Sequence, residues 1–454
     1  MTVIAATLEP PPSDDSSPFV PAGEYLTRAA DFAYVEQEWF ASGKDAAGRP
    51  YTTQVFVRRP RDPARFSGTV IVEPLHIHRI APIYMYCSPY ILRSGHGWAC
   101  VASQKAALDT HVKPSDAERY APLRIETDRS LPDALTTITN PPFWGVDAAA
   151  RKAWWAEFAR FNQACSAILA QVGAALRLPA GPFGDCHVRH MLLAGHSQTG
   201  YVTTNFMREA HGSQRLADGS PVYDGFFPSG WPQRPFGPCE VPIVHVLSDG
   251  DVSDPGFSFE PGREGRQYRR PDGDAPHDRY RLYELAGMPH AGTRYPPLTD
   301  PRMWQQVPTA GAVPLDAVMN SLPHHELFDM GLHHLVQWVA KGVTPPRATR
   351  IEVDSGGYFA KDEHGNSRGG VRCVQLDVPR AAYYANPLGA DGTPAFGTIG
   401  TEVPFDKAKL KQLYGDPASY AARFDRRLEE LIRAGWFLAE EADGMRAEAR
   451  AQSW

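Results

Sequence analysis

Short, continuously apolar runs with helical patterns between them constrain this chain more than any other feature. Thr69-Val70-Ile71-Val72 and Trp98-Ala99-Cys100-Val101-Ala102 are two such runs, and residues 84–93 between them fit a helix. A strand covered on both faces shows no polar alternation, so strand, helix and strand in this order predict a parallel sheet flanked by helices. Residues 187–193, 222–227, 242–247 and 280–285 continue the series of strands. Residues 159–176, 201–210 and 327–340 are the intervening helices; Val202, Phe206 and Ala210 share one face at i, i+4 spacing, and Gly342 with Pro345-Pro346 stops the last. Ahead of the first run, residues 33–40 and 51–58 flank the turn signal Gly43-Lys44-Asp45-Ala46-Ala47-Gly48 and read as a hairpin.

The sheet pattern occupies residues 21–350. Residues 1–20, with Pro10-Pro11-Pro12 and Asp14-Asp15, read as a flexible leader. Residues 105–160 and 291–325 lose periodicity and gain Pro and aromatics, including Pro141-Pro142-Phe143-Trp144 and Trp154-Trp155; loop-rich stretches this long predict lid-like cover. From Ile351 the character changes to short strands and then charged helices at 405–414 and 417–436, a C-terminal α+β elaboration packed on the core.

With 43% hydrophobic and 22% charged residues, the chain can bury a sizeable core. Net charge is −6 and the basic residues are scattered, which argues against a phosphate-tracking surface and a nucleic-acid partner. The six cysteines form no CxxC pair, so free thiols in a reducing compartment are expected. Lacking a long apolar segment and a signal-like start, the chain is expected to be cytoplasmic with no membrane span. No cofactor is expected, and a homodimer is compatible with this pattern.

The chemistry centres on Gly195-His196-Ser197-Gln198-Thr199-Gly200, between an apolar strand and an amphipathic helix. A serine nucleophile on such a sharp turn needs small neighbours and an adjacent base. A literal G-x-S-x-G occurs instead at Gly365-Asn366-Ser367-Arg368-Gly369, but no apolar strand precedes it and it reads as a turn. Ser197 is therefore the candidate nucleophile. Serine hydrolases of this type take an acid and then a histidine from later strand ends. Here strand 242–247 runs into Ser248-Asp249-Gly250-Asp251, and strand 280–285 into Met288-Pro289-His290. His290 is the expected base and Asp251 the preferred acid, with Asp249 its competitor and Asp254 a distant third. The Gln198 N–H is one expected oxyanion donor; the second should come from the loop after strand 69–72, around Leu75-His76. A metal-dependent hydrolase using His76 and His78 is the alternative chemistry, although no Asp or His follows closely to complete a ligand set.

At these residues the chain resembles a bacterial family whose members are mostly identified as alpha/beta hydrolase domain-containing proteins. Val70-Ile71-Val72-Glu73-Pro74-Leu75, Ala102-Ser103-Gln104-Lys105, the G-x-S-Q-[ST]-G segment at 195–200 and residues 284–291 carry the likeness. Gly369-Gly370-Val371-Arg372 and Ala434-Gly435-Trp436-Phe437-Leu438 extend it through the C-terminal part. His76 stands where the family is expected to carry Asn, and Asp249 where it often carries Glu. The resemblance implies an α/β-hydrolase core with Ser197 and His290 in catalytic roles. The expectation is a serine carboxylic-ester hydrolase, esterase or lactonase, working through an acyl-serine on a bulky, partly apolar small molecule. A serine acyltransferase on the same scaffold is a further alternative.

Overall fold

The computed structural model describes the chain except residues 13–15, 23–26, 128–155, 157, 158, 160, 233–235, 254–267, 296–297, 305–312 and 389–396. Eleven strands form one sheet: β1 (Thr7–Glu9), β2 (Tyr34–Lys44), β3 (Pro50–Pro60), β4 (Thr69–Pro74), β5 (Gly97–Val101), β6 (Arg124–Ile125), β7 (His190–His196), β8 (Gly225–Ser229), β9 (Ile243–Ser248), β10 (Gly273–Ala275) and β11 (Asp278–Leu285). Their order is β1-β2-β3-β5-β4-β7-β8-β9-β11-β10, with β6 on β3. The six central strands from β5 to β11 are mutually parallel. Antiparallel pairs complete both edges. Every residue of β4, β5, β8 and β9 is buried, which is why none of them alternates in sequence.

The longer helices are α1 (Pro82–Arg93), α2 (Cys165–Ala175), α3 (Gln198–Glu209), α4 (His324–Lys341), α5 (Lys407–Tyr414), α6 (Pro417–Arg433) and α7 (Ala442–Arg450). Glu73, at the end of β4, caps α1 from a distance by accepting the amides of Ile83 (2.7 Å) and Tyr84 (3.0 Å). A second small antiparallel sheet, β12 (Val318–Met319), β14 (Thr401–Pro404) and β13 (Ala381–Tyr384), belongs mainly to the C-terminal part. None of the described helices is long and apolar enough to cross a membrane.

Two sequence expectations shift. The described part of the leader joins the fold: Thr7–Glu9 pairs with β2 as an edge strand, and the Val3 amide donates to the Arg215 carbonyl at 2.7 Å. Thr7 and Glu9 are exposed at this edge, where only one side of the backbone needs partners. Strand 222–227 begins only at Gly225, because the Asp224 carboxylate accepts the Met191 amide (2.7 Å) and pairs with Arg177 there.

The C-terminal helices are fastened by a buried charge cluster. Arg93 of α1 lies 2.6 Å from Glu441 and 3.4 Å from Asp329 of α4. Burial raises the pKa of both carboxyls, reinforced at Asp329 by the neighbouring Glu441 charge; Glu441 is pushed up to about 7. An acid with a raised folded pKa contributes stability that is present in full at low pH. That contribution falls as pH climbs from the ordinary carboxyl range near 4.5 to about 7. Glu441→Gln mimics the protonated form, so its Tm should gain on wild type by about 2 °C between pH 5 and pH 8. A Tm difference independent of pH would show that the pair holds no proton.

Candidate active site

Ser197 sits between the end of β7 and the start of α3 with φ 59° and ψ −127°, a conformation non-glycine residues rarely adopt. Such a residue costs roughly 1–3 kcal/mol and needs its surroundings to hold it. The Ser197 amide donates to the Ser229 carbonyl (3.0 Å), and the Ser197 carbonyl accepts the Tyr201 amide (3.0 Å). The Thr199 hydroxyl accepts the His196 amide (3.0 Å) and donates to the His196 carbonyl (2.8 Å), closing a brace across the turn. A Cβ at Gly195 would stand 2.2 Å from the Thr199 carbonyl oxygen, and one at Gly200 would stand 2.2 Å from that of Ser229. The second obligatory glycine is thus Gly200, and the residue before it carries a hydroxyl because the brace uses one.

His290 follows β11, and its Nε2 lies 2.8 Å from Ser197 Oγ. Its Nδ1 lies 2.5 Å from Asp251 Oδ1. The other Asp251 oxygen accepts the Ser248 amide at 2.6 Å, while Ser248 Oγ accepts the Asp251 amide at 3.2 Å. This reciprocal box opens the short helical turn Asp249–Val252 and buries the Asp251 side chain completely. His196 fixes the histidine from behind: its Nε2 lies 3.1 Å from the His290 carbonyl, and the two rings stack at 4.7 Å. The carbonyl can only accept, so the His196 proton is on Nε2. Burial, with His290 and His324 close by, holds its pKa well below the usual range and keeps the ring neutral. Ser229 Oγ lies 3.1 Å from Nδ1 and 3.1 Å from the Gly195 carbonyl, so its single proton faces two acceptors.

Asp249 does not join this chain. Its Oδ2 accepts the Gly287 amide (3.0 Å) and the Ser367 hydroxyl (2.5 Å). Two positions along a helical turn point about 200° apart, so only one of the two aspartates can face His290. Ser367 also accepts from Lys361 Nζ at 2.8 Å, in a hairpin-like bridge. Its own proton is directed to a carboxylate and its hydrogen-bond partners include no imidazole. Asp254 lies outside the described residues.

The loop after β4 departs from expectation. The Leu75 amide donates to Val101 (2.8 Å) and the His76 amide to Ile80 (3.1 Å), so neither backbone N–H is available as the second oxyanion donor. The neighbouring strand β5 takes the first and the loop's own tight turn the second. The Gln198 amide, first in α3, has no intrahelical acceptor. His76 Nδ1 accepts the His78 amide at 3.0 Å, and no three His, Cys, Asp or Glu side chains among the described residues are grouped as metal ligands.

A sequence model of the family described as "Alpha/beta hydrolase domain" matches residues 7–447. The chain belongs to the alpha/beta hydrolase domain family. No curated protein matches this hydrolase. Among solved structures it is similar to a cold-adapted esterase from an Arctic intertidal metagenomic library, at 13% identity and TM-score 0.29, covering 55% of this chain and 85% of that one. A poly(3-hydroxybutyrate) depolymerase from Bordetella parapertussis gives 16% identity and TM-score 0.27, covering 50% and 72%. Lipase A from Candida antarctica gives 9% and 0.26, covering 57% and 46%.

The family membership agrees with the mostly parallel sheet expected from the sequence. Of the residues singled out there, the hydrolase brings Ser197, His290 and Asp251 into one hydrogen-bonded line, and Gln198 adjoins it. His324 and His325 lie buried in the first turn of α4, where His324 stacks on Phe328 at 4.5 Å. Three supports had no role assigned from sequence: Thr199, His196 and Ser248. Only Thr199 left a trace there, as the residue occupying the place of the motif's last glycine. The Trp154-Trp155 pair, like much of the 105–160 cover, lies outside the described residues.

Proposed function

We propose that this hydrolase cleaves carboxylic esters, lactones included, through an acyl-Ser197 intermediate. The observation that carries the reading is the line from Ser197 Oγ to His290 Nε2 (2.8 Å) and from His290 Nδ1 to Asp251 (2.5 Å). His290 takes the Ser197 proton as Oγ adds to the ester carbonyl carbon, and the buried Asp251 carboxylate stabilises the imidazolium so formed. The carbonyl oxygen becomes an oxyanion facing the Gln198 N–H, where the helix N-terminus favours negative charge. Collapse breaks the ester C–O bond, and the leaving alkoxide takes the proton from His290. Water, deprotonated by the same imidazole, then releases the carboxylic acid and restores Ser197.

The aromatic residues of 105–160 and 291–325 support a bulky, partly apolar substrate. Fluorophosphonate labelling tests the reaction class. Wild type and Ser367→Ala should label, while Ser197→Ala and His290→Ala should not. Retained labelling in Ser197→Ala would move the nucleophile elsewhere, and a preference for acetyl over large aromatic esters would sink the substrate reading.

A further inference from the structure

An oxyanion needs donors from two sides, and the Gln198 amide supplies one. The other side belongs to the loop after β4, which lies beside β7 in register Val72↔Leu193 and so ends next to the Ser197 turn. Most of this loop's amides are spent: Leu75 on Val101, His76 on Ile80, His78 on His76 Nδ1 and Arg79 on the His76 carbonyl. The Leu75–His76 peptide is gripped on both edges, since its carbonyl accepts Gln104 Nε2 at 2.9 Å.

Gln104 reaches further. Its Nε2 also donates to Gln198 Oε1 (2.9 Å), and Gln198 Nε2 returns a bond to Gln104 Oε1 (2.5 Å). Both side chains are buried, so these amide groups depend on each other for partners. The pair ties the loop to the residue that follows the nucleophile. His76 is thereby set with its Nδ1 accepting a backbone N–H, which places the ring proton of the neutral imidazole on Nε2. Burial, reinforced by His78, His290 and His111, holds the His76 pKa well below the usual range, so the ring stays neutral where an esterase works. Unlike the ring nitrogens of His324 and His325, its Nε2 is not among the sealed, unsatisfied atoms.

We propose that the His76 Nε2–H is the second donor to the substrate oxyanion, and that the Gln104 and Gln198 side-chain amides set its position relative to the Gln198 N–H. His76 gives up no proton; it donates a hydrogen bond that strengthens as charge develops, while His290 alone carries the proton. The inference rests on the serine-hydrolase reading above.

The test uses full-length His76→Asn, His76→Gln and Gln104→Leu, with Ser197→Ala as control. Readouts are kcat and KM on a p-nitrophenyl ester, the fluorophosphonate labelling rate and Tm. In Asn the side-chain oxygen replaces Nδ1 as acceptor for the His78 amide, but no N–H reaches the Nε2 position. His76→Asn should therefore keep its Tm and KM while kcat falls about 100-fold, with labelling slowed in parallel. His76→Gln, whose amide reaches the Nε2 position, should recover about 10-fold of that loss, and Gln104→Leu should lower kcat about 10-fold. Wild-type kcat in both His76 variants would overturn the proposal. If His76→Asn fails to fold, wild-type kcat in both His76→Gln and Gln104→Leu overturns it equally. An active Ser197→Ala would instead refute the nucleophile itself; an inert Ser197→Ala beside fully active His76 variants would refute only this inference.

Discussion

Ser197→Ala is expected to lower kcat for ester hydrolysis by about a million-fold and to abolish the acyl-enzyme burst. On the proposed acyl-serine mechanism the hydroxyl removed forms the covalent bond, so no neighbouring group is expected to replace it. The turn should survive, because it is held through the Ser197 amide and carbonyl and through the Thr199 brace, none of which uses Oγ. Residual turnover of about 10³–10⁴ over water should persist from oxyanion stabilisation and binding. Steady-state kinetics with active-site titration decides it. Hydrolysis within about 100-fold of wild type, with an unchanged burst, is incompatible with Ser197 as nucleophile.

Asp251→Asn should cost about 10⁴-fold in kcat, and the structure dictates why. One Asp251 oxygen accepts the Ser248 amide and the other meets His290 Nδ1. In the variant the carbonyl oxygen of Asn must serve Ser248, since an NH₂ group cannot accept. The NH₂ is then turned toward Nδ1 and forces the imidazole proton onto Nε2, facing Ser197. The base is blocked with its geometry intact. Asp249→Asn is the matched control: the single oxygen that takes Gly287 and Ser367 can be an amide oxygen, so kcat should stay within about 10-fold. Equal losses in the two variants would remove the distinction between the aspartates.

The central strands were legible in sequence because burial on both faces leaves a continuous apolar run, as in Val70-Ile71-Val72. Ser197 was legible because a strand and an amphipathic helix flank it. Asp251 is preferred from sequence with Asp249 as its competitor, since the two share one four-residue turn and differ only in direction. The Leu75 and His76 amides looked available because strand order alone brings that loop to the nucleophile. Which N–H groups a tight loop consumes internally depends on its path. Gln104 was recognisable as part of a family segment, but its partner lies 94 positions away.

The acid turn is held from the far end of the chain. Ser367 binds Asp249, the Ile351 amide and Arg269 hold the buried Glu284 carboxylate, and Val371 bridges to Leu285 just ahead of the His290 loop. During synthesis, the strands that bear Ser197, Asp251 and His290 emerge well before these partners do. The contacts to Asp249, Glu284 and Leu285 can therefore form only after residues 351–371 have been made and docked. A product cut short at residue 350 would carry Ser197, Asp251 and His290 without these supports, and is expected to hydrolyse esters more slowly than the full chain.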